Sequence, residues 1–127
     1  MKFTAVGDML IQRRLPGEYE GFSEISRYIN KGDMRFFNLE TTLHGGECFA
    51  SQFSGGSWLR MDPKVLEDAR KFGFNILSFA NNHTMDFSYE GLTKTLDAVN
   101  EYGFPNAGVG RSLGEAAAPA YLDTLSG

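Results

Sequence analysis

Apolar residues recur along this chain with two spacings, one typical of short buried strands and one typical of amphipathic helices. Apolar runs bounded by Gly, Asn or Asp predict strands at 3–7, 35–39, 75–80, 104–109 and 120–125. Apolar residues three and four positions apart predict helices at 22–30, 62–72, 88–102 and, more briefly, 113–117. The alternation of strand and helix indicates an α/β protein with a largely parallel sheet and right-handed crossovers.

The second and third predicted helices carry signals for where they begin and end. Asp62 is expected to cap the second helix, Pro63 suits its first helical position, and Gly73 follows its last residue. Ser88 is expected to cap the third helix in the same way. These signals make the second predicted helix the best-defined helix of the sequence.

Residues 41–60 follow neither spacing and contain two Gly-Gly pairs, which indicates a long irregular loop. Long loops on a rigid scaffold often carry function. Three aromatic residues lie in this segment, namely Phe49, Phe53 and Trp58. We expect them to pack beneath the loop; the alternative is that they cover a binding crevice or contact a polymer chain.

Composition narrows the class of protein. With 42% hydrophobic and 22% charged residues, the 127-residue chain has the balance of a soluble globular protein. Its net charge of -4 and scattered Lys and Arg argue against a nucleic-acid surface. Cys48 has no second cysteine to pair with, and no apolar stretch suits a signal peptide or a membrane span. The chain as it stands is expected to be cytoplasmic, or extracytoplasmic if a leader has been removed.

Three of the predicted strands end in residues that can bind a metal ion or transfer a proton. Asp8 ends the first strand, Glu40 ends the second, and Asn82 and His83 follow the third, with Asp86 three residues further on. Parallel strands bring these ends to one edge of the sheet, where ligands gather in such folds. Two carboxylates, an amide oxygen and an imidazole suit one or two divalent cations, with Mn, Fe, Zn and Ca all left open.

Each residue type has a chemical role in that arrangement. Asp8 and Glu40 would neutralise cation charge, and Asn82 would add a neutral oxygen ligand. His83 would donate to developing charge or to a leaving oxygen, and Asp86 would fix its tautomer. Taken alone, Gly-Asp and Asn-Asn-His are also ordinary turn sequences, and a lone Glu is usually solvated. Their shared position at strand ends favours the functional interpretation.

Two further residues are candidates for substrate contact. Arg13 forms, with Arg14, the one basic pair near these motifs, so it is a candidate for binding an anionic substrate. His44 lies in the loop after Glu40, where it is either a plain loop residue or a substrate contact.

Several short motifs follow one another along the chain in a fixed order. They are VGDML at 6–10, FNLET at 37–41, SFANNHTMD at 78–86, EGL at 90–92, TLDA at 95–98 and the Gly-rich stretch from 108 to Pro119. In this order they resemble the CapA-like (poly-γ-glutamate capsule biosynthesis) family, which is similar to the calcineurin-like metallophosphoesterases. The resemblance implies a layered α/β fold of two sheets flanked by helices around a dinuclear metal site.

By this resemblance, Asp8 matches the first metal-binding carboxylate, Glu40 the bridging acid, Asn82 the amide ligand and His83 the transition-state histidine. Leu10 stands where the superfamily's first motif has a histidine. The superfamily site also uses later histidines, whereas this chain has only His44 and His83. The resemblance therefore implies that 1–127 is the N-terminal part of a single CapA-like domain whose C-terminal part is absent.

The expected function is metal-dependent hydrolysis of a phosphoester or related bond, linked to poly-γ-glutamate capsule biosynthesis. The chain alone is expected to be inactive, because the missing C-terminal segment or a homo-oligomer partner must complete the site. An anionic polymer or a phosphoester is the expected substrate, and no nucleic acid is expected. The alternative is a non-catalytic subunit of a capsule synthesis or export complex that binds polymer or a partner protein.

Overall fold

The structure, a computed structural model, describes residues 1–54 and 56–125. Its strands are β1 Phe3–Met9, β2 Met34–Leu39, β3 Thr42–Leu43, β4 Arg60–Met61, β5 Ile76–Ser78 and β6 Asn106–Ala107. Its helices are α1 Phe22–Ile29, α2 Val65–Phe72, α3 Ser88–Glu101 and α4 Leu113–Ala116. The predicted α/β class is confirmed. None of the described helices is long and apolar enough to cross a membrane.

The larger sheet has the order β1-β2-β5-β6, and all of its neighbouring strands are parallel, as the sequence predicts. The pairing of β1 with β2 shifts register between Ala5 and Asp8, so the last residues of β1 follow a bulge. Each crossover moves one strand further in the same direction, and such crossovers are right-handed as a rule. Helices α1, α2 and α3 are therefore expected on the same face of the sheet.

The hydrophobic core lies on that helical face. Phe37 of β2 points into it, with ring centroids 4.9 Å from Phe74 and 5.8 Å from Phe104. Alternate residues of a strand point to opposite faces, so Phe36 lies on the other side of the sheet, beside Phe3 at 6.3 Å. Phe36 and Ile76 are not part of the core cluster. Among the described residues, the second face is thus separate from the main core, and Ile76 on it is still buried, at 8% exposed.

The long loop is more ordered at its ends than its sequence predicts. Thr42 pairs with Arg60 and Leu43 pairs with Met61, so β3 and β4 close the loop as a two-stranded parallel sheet. The prediction that its aromatic side chains pack beneath it is wrong. Phe49 and Phe53 are 87% and 85% exposed, and Trp58 is 49% exposed. The buried apolar side chain among the described residues between β3 and β4 is instead Cys48, at 6% exposed.

Both predicted caps differ from the structure. Asp62 caps the turn that precedes α2, where its carboxylate accepts a bond from the Lys64 amide at 2.8 Å, and α2 begins only at Val65. Ser88 is the first residue of α3 and makes no capping bond. Its backbone enters the helix from a left-handed conformation, with φ 55°, which excludes the extended geometry of a cap.

The fourth predicted strand is shorter than expected, and the fifth is wrong. Only Asn106 and Ala107 of 104–109 pair with β5. Residues 120–125 form no strand; Asp123, Thr124 and Leu125 instead lie beside Asp33, Arg35 and Asn75, toward the amino ends of the central strands. Apolar character alone does not make a strand, because the segment must also reach a free sheet edge.

Candidate functional site

The carboxyl end of the parallel sheet brings the predicted site segments together. Asp8 pairs in register with Asn38, and Asn38 pairs with Ser78 of β5. Glu40 follows β2 directly, and the turn that contains His83 follows β5. The strand ends therefore lie side by side, as parallel strands require.

A chain of amide side chains links these strand ends. Asn38 donates from Nδ2 to Asp8 Oδ1 at 2.8 Å. Asn81 donates from Nδ2 to Asn38 Oδ1 at 3.2 Å and to the Leu39 carbonyl at 2.9 Å. Its own Oδ1 accepts the His83 amide at 2.9 Å. The network fixes Asp8 relative to the turn that carries His83.

Sequence reasoning gave Asn38 and Asn81 no role. The available signal was Asn38 itself, a polar residue between the fully buried Phe37 and Leu39 in an otherwise apolar strand. Such a residue at a strand end needs a polar partner, which here is the amide of Asn81.

Glu40 lies close to the Asp8 carboxylate and to His83. Burial raises the pKa of Glu40, the negative charge of Asp8 raises it further, and His83 opposes the shift. Two adjacent carboxylates repel one another unless a proton or a cation is shared between them. The pair is therefore a place where positive charge is stabilised.

His83 and Asp86 form a buried pair. His83 Nδ1 lies 2.8 Å from Asp86 Oδ2, and Asp86 is only 1% exposed. A carboxylate acceptor places the proton on Nδ1, which leaves Nε2 as the nitrogen available for proton transfer. The predicted contact between the two side chains is present, and their catalytic roles remain predictions.

Asn82 and Arg13, two further candidate residues, are both exposed. Asn82 lies between Asn81 and His83 and is exposed. Arg13 is exposed in the loop after β1, while its neighbour Arg14 is bound to Asp68 of α2 at 2.8 Å.

His44 is 1% exposed at the end of β3, and burial lowers its pKa, which favours the neutral imidazole. Its Nδ1 accepts the Gly46 amide at 3.2 Å, and its ring packs against Phe87 at 4.4 Å. A direct contact between His44 and substrate would require this packing to open.

The donor set fits part of a metal shell. Asp8, Glu40 and Asn82 offer the oxygen atoms that divalent cations accept. Within residues 1–54 and 56–125, no group of three or more His, Cys, Asp or Glu side chains is arranged to hold a metal ion.

The class defined so far is an α/β protein with acidic, amide and imidazole groups at the ends of parallel strands. The chain belongs to the bacterial capsule synthesis protein family PGA_cap, which matches residues 2–127. The CapA-like resemblance of the sequence is thereby confirmed.

Similar proteins are considerably longer. The uncharacterized proteins y4sH and y4uA of Sinorhizobium fredii are each 36% identical over 128 residues, which cover 98% of this chain and 28% of theirs. A protein of Mycobacterium tuberculosis named "probable polyglutamine synthesis accessory protein" is 33% identical over 81 residues, or 64% of this chain and 21% of its own. The chain thus spans about 28% of the length of its first two relatives.

Proposed function

We propose that this chain contributes part of a metal-dependent hydrolase site that acts on a phosphoester or related bond during capsule polymer synthesis. The observation that carries the proposal is the meeting of Asp8, Glu40 and the His83–Asp86 pair at one edge of the sheet. Carboxylates beside a tautomer-fixed imidazole combine cation binding with proton transfer.

In this proposal, each residue acts through its observed position. Asp8, Glu40 and Asn82 would hold the divalent cation, which when bound supplies charge neutralisation and Lewis acidity. His83 would exchange the proton of a leaving oxygen through Nε2, while Asp86 holds Nδ1. Asn38 keeps Asp8 in place, which limits the reorganisation needed when the cation binds.

The family and its relatives support the biological setting. The family description names capsule synthesis, and the name of the mycobacterial relative refers to polyglutamine synthesis. We therefore propose an anionic polymer or its phosphoester precursor as the substrate. Because the longer relatives extend well beyond the matched part, we propose that the remaining ligands come from further chain or from a second copy.

A second candidate function is the non-catalytic binding of polymer or a partner protein. It is favoured by the small donor set, in which no third acidic or histidine ligand joins Asp8 and Glu40 within the described residues. The exposed Phe49 and Phe53 would then serve as contact surface.

Metal content and hydrolysis together test the proposal. In a protein of the relatives' length, we expect Asp8→Asn combined with Glu40→Gln to lose bound Mn, Fe, Zn or Ca, measured by plasma mass spectrometry. Hydrolysis of bis(p-nitrophenyl) phosphate should fall by about two orders of magnitude or more, because the cation supplies several kcal/mol of charge stabilisation.

The matched control is Asp97→Asn combined with Glu24→Gln, which makes the same chemical changes at exposed positions of α3 and α1. It should leave both measurements unchanged. Unchanged metal content and hydrolysis in the site variant would contradict the hydrolase proposal. Retained binding of poly-γ-glutamate without hydrolysis in the unsubstituted protein would favour the second candidate.

A further inference from the structure

The loop that connects β3 to β4 carries exposed aromatic side chains. We call residues 45–54 and 56–59 the aromatic loop, after Phe49, Phe53 and Trp58. Phe49 and Phe53 are 87% and 85% exposed, so their rings are available for contact with another molecule. Where this loop is attached to the rest of the molecule therefore matters.

The attachments converge on Asp86. The Ser51 amide donates to the Asp86 carbonyl at 2.8 Å, and the Leu59 amide donates to Asp86 Oδ2 at 2.6 Å. Trp58 Nε1 closes the loop on itself by donating to the Ser51 carbonyl at 3.0 Å. Both sides of the aromatic loop are thus bound to one residue.

The same carboxylate oxygen also holds the His83 ring. Asp86 Oδ2 accepts the Leu59 amide and contacts His83 Nδ1 at 2.8 Å, so the loop and the imidazole share one anchor. The Leu59 carbonyl accepts two hydrogen bonds from Thr42, one from its amide at 3.1 Å and one from its hydroxyl at 2.9 Å. Since Thr42 is two residues from Glu40, the Leu59 peptide bridges the Glu40 strand end and the His83 turn.

We propose that Asp86 is a positioning residue that holds the aromatic loop against His83, so that the loop forms a wall of the site and contacts substrate. The role in substrate contact rests on the proposed function; the anchoring does not. Bonds to a buried carboxylate are stronger than neutral ones, which suits a side chain with two partners on one oxygen. A merely tautomer-fixing Asp86 would have no effect on the loop.

Loop dynamics in this chain test the anchor without substrate or metal. In Asp86→Asn, we expect the Leu59 amide to exchange its hydrogen about tenfold faster or more, the effect of weakening one bond to a charged acceptor. Acrylamide quenching of Trp58, the one tryptophan in the chain, should increase. His83→Ala keeps the carboxylate and should leave both readouts near their original values, as should Asp97→Asn, the same chemical change on the surface.

A second variant covers the case in which Asp86→Asn loses its fold, as judged by exchange of the core Leu77 amide. Ser51→Pro removes the donor to the Asp86 carbonyl and leaves every proposed metal ligand and His83 in place. It should increase Trp58 quenching here and, in the longer protein, raise KM without loss of metal.

Unchanged Leu59 exchange and Trp58 quenching in a folded Asp86→Asn would overturn the anchor, as would an equal loosening by His83→Ala. An unchanged KM in Ser51→Pro would overturn the substrate contact. Unchanged metal content and hydrolysis in the Asp8→Asn and Glu40→Gln variant would instead contradict the proposed function, so the two failures are distinguishable.

Discussion

Asp68 is a buried carboxylate, 1% exposed, that ties the loop after β1 to helix α2. It accepts bonds from Arg14 Nε at 2.8 Å, from the Leu15 amide at 3.0 Å and from Lys71 Nζ at 3.2 Å. Burial alone would raise its pKa, but these donors together lower the pKa of Asp68 to about 2. Because this loop begins just after Asp8, the contact also limits how far the site edge can move.

The lowered pKa predicts an acid-sensitive contribution to stability. The folded pKa lies below the ordinary pKa of an aspartate side chain, so the contribution is present above that ordinary value and is lost as pH falls toward 2. At neutral pH, Asp68→Asn should cost about 2 kcal/mol, the loss of hydrogen bonds to a charged group.

Urea titrations followed by Trp58 fluorescence measure both effects. Between about pH 4 and pH 2, stability should fall more steeply in the original chain than in Asp68→Asn. The exposed Asp97→Asn should keep the original slope. Equal slopes in all three proteins would show that the Asp68 contacts contribute nothing to stability.

Helix α3 begins under backbone strain, next to the His83–Asp86 turn. Ser88 has φ 55°, a left-handed conformation in which a β-carbon is disfavoured. Close packing follows one turn later, because a β-carbon on Gly91 would lie 2.5 Å from the Phe87 β-carbon. The turn is therefore held in a costly geometry that the surrounding contacts must offset.

Relief of this strain is measurable. Ser88→Gly should raise the free energy of unfolding by about 1 kcal/mol, since glycine adopts positive φ without steric cost. Ser88→Val should lower it, because a β-branched residue is least tolerated there. Ser23→Gly, made near the start of α1, is the matched control and should lower stability. A loss of stability in Ser88→Gly equal to that in Ser23→Gly would contradict the strain argument.

These elements show which features the sequence could predict. The parallel sheet and its chemistry-bearing edge were predictable, because strand runs end locally at Asp8, Glu40 and Asn81. The bonds from Leu59 to Asp86 and from Asn81 to Asn38 were not, because they join residues 27 and 43 positions apart.

The same limit explains the errors. Residues 120–125 have strand-like character, yet pairing depends on which sheet edge the chain can reach. Phe49 and Phe53 are of a residue type that is usually buried, but they lie in the loop that β3 and β4 close, where both are exposed.

At the scale of the whole molecule, the second face of the main sheet is exposed at the β1 edge, whereas Ile76 of β5, the register partner of Phe36, is only 8% exposed. Parallel sheets are normally buried on both sides, because crossover helices or other layers cover them. Here core residues of α1, α2 and α3 pack in one cluster with Phe37, while Phe3, 59% exposed, lies beside Phe36 on the other face. Asn38 follows Phe37 in the strand and therefore lies on the same face as Phe36. The amide network of the site thus lies at the margin of that face.

The exposed β1 edge of this face predicts how the 127-residue chain behaves in isolation. We expect concentration-dependent self-association in sedimentation velocity and binding of a hydrophobic dye, because exposed apolar sheet surface attracts other chains. Phe3→Ser combined with Phe36→Ser should shift the chain toward monomer and reduce dye binding. Phe49→Ser combined with Phe53→Ser removes two equally large rings from the aromatic loop and is the matched control. If only the loop variant restored monomer, the aromatic loop and not the sheet face would be the associating surface.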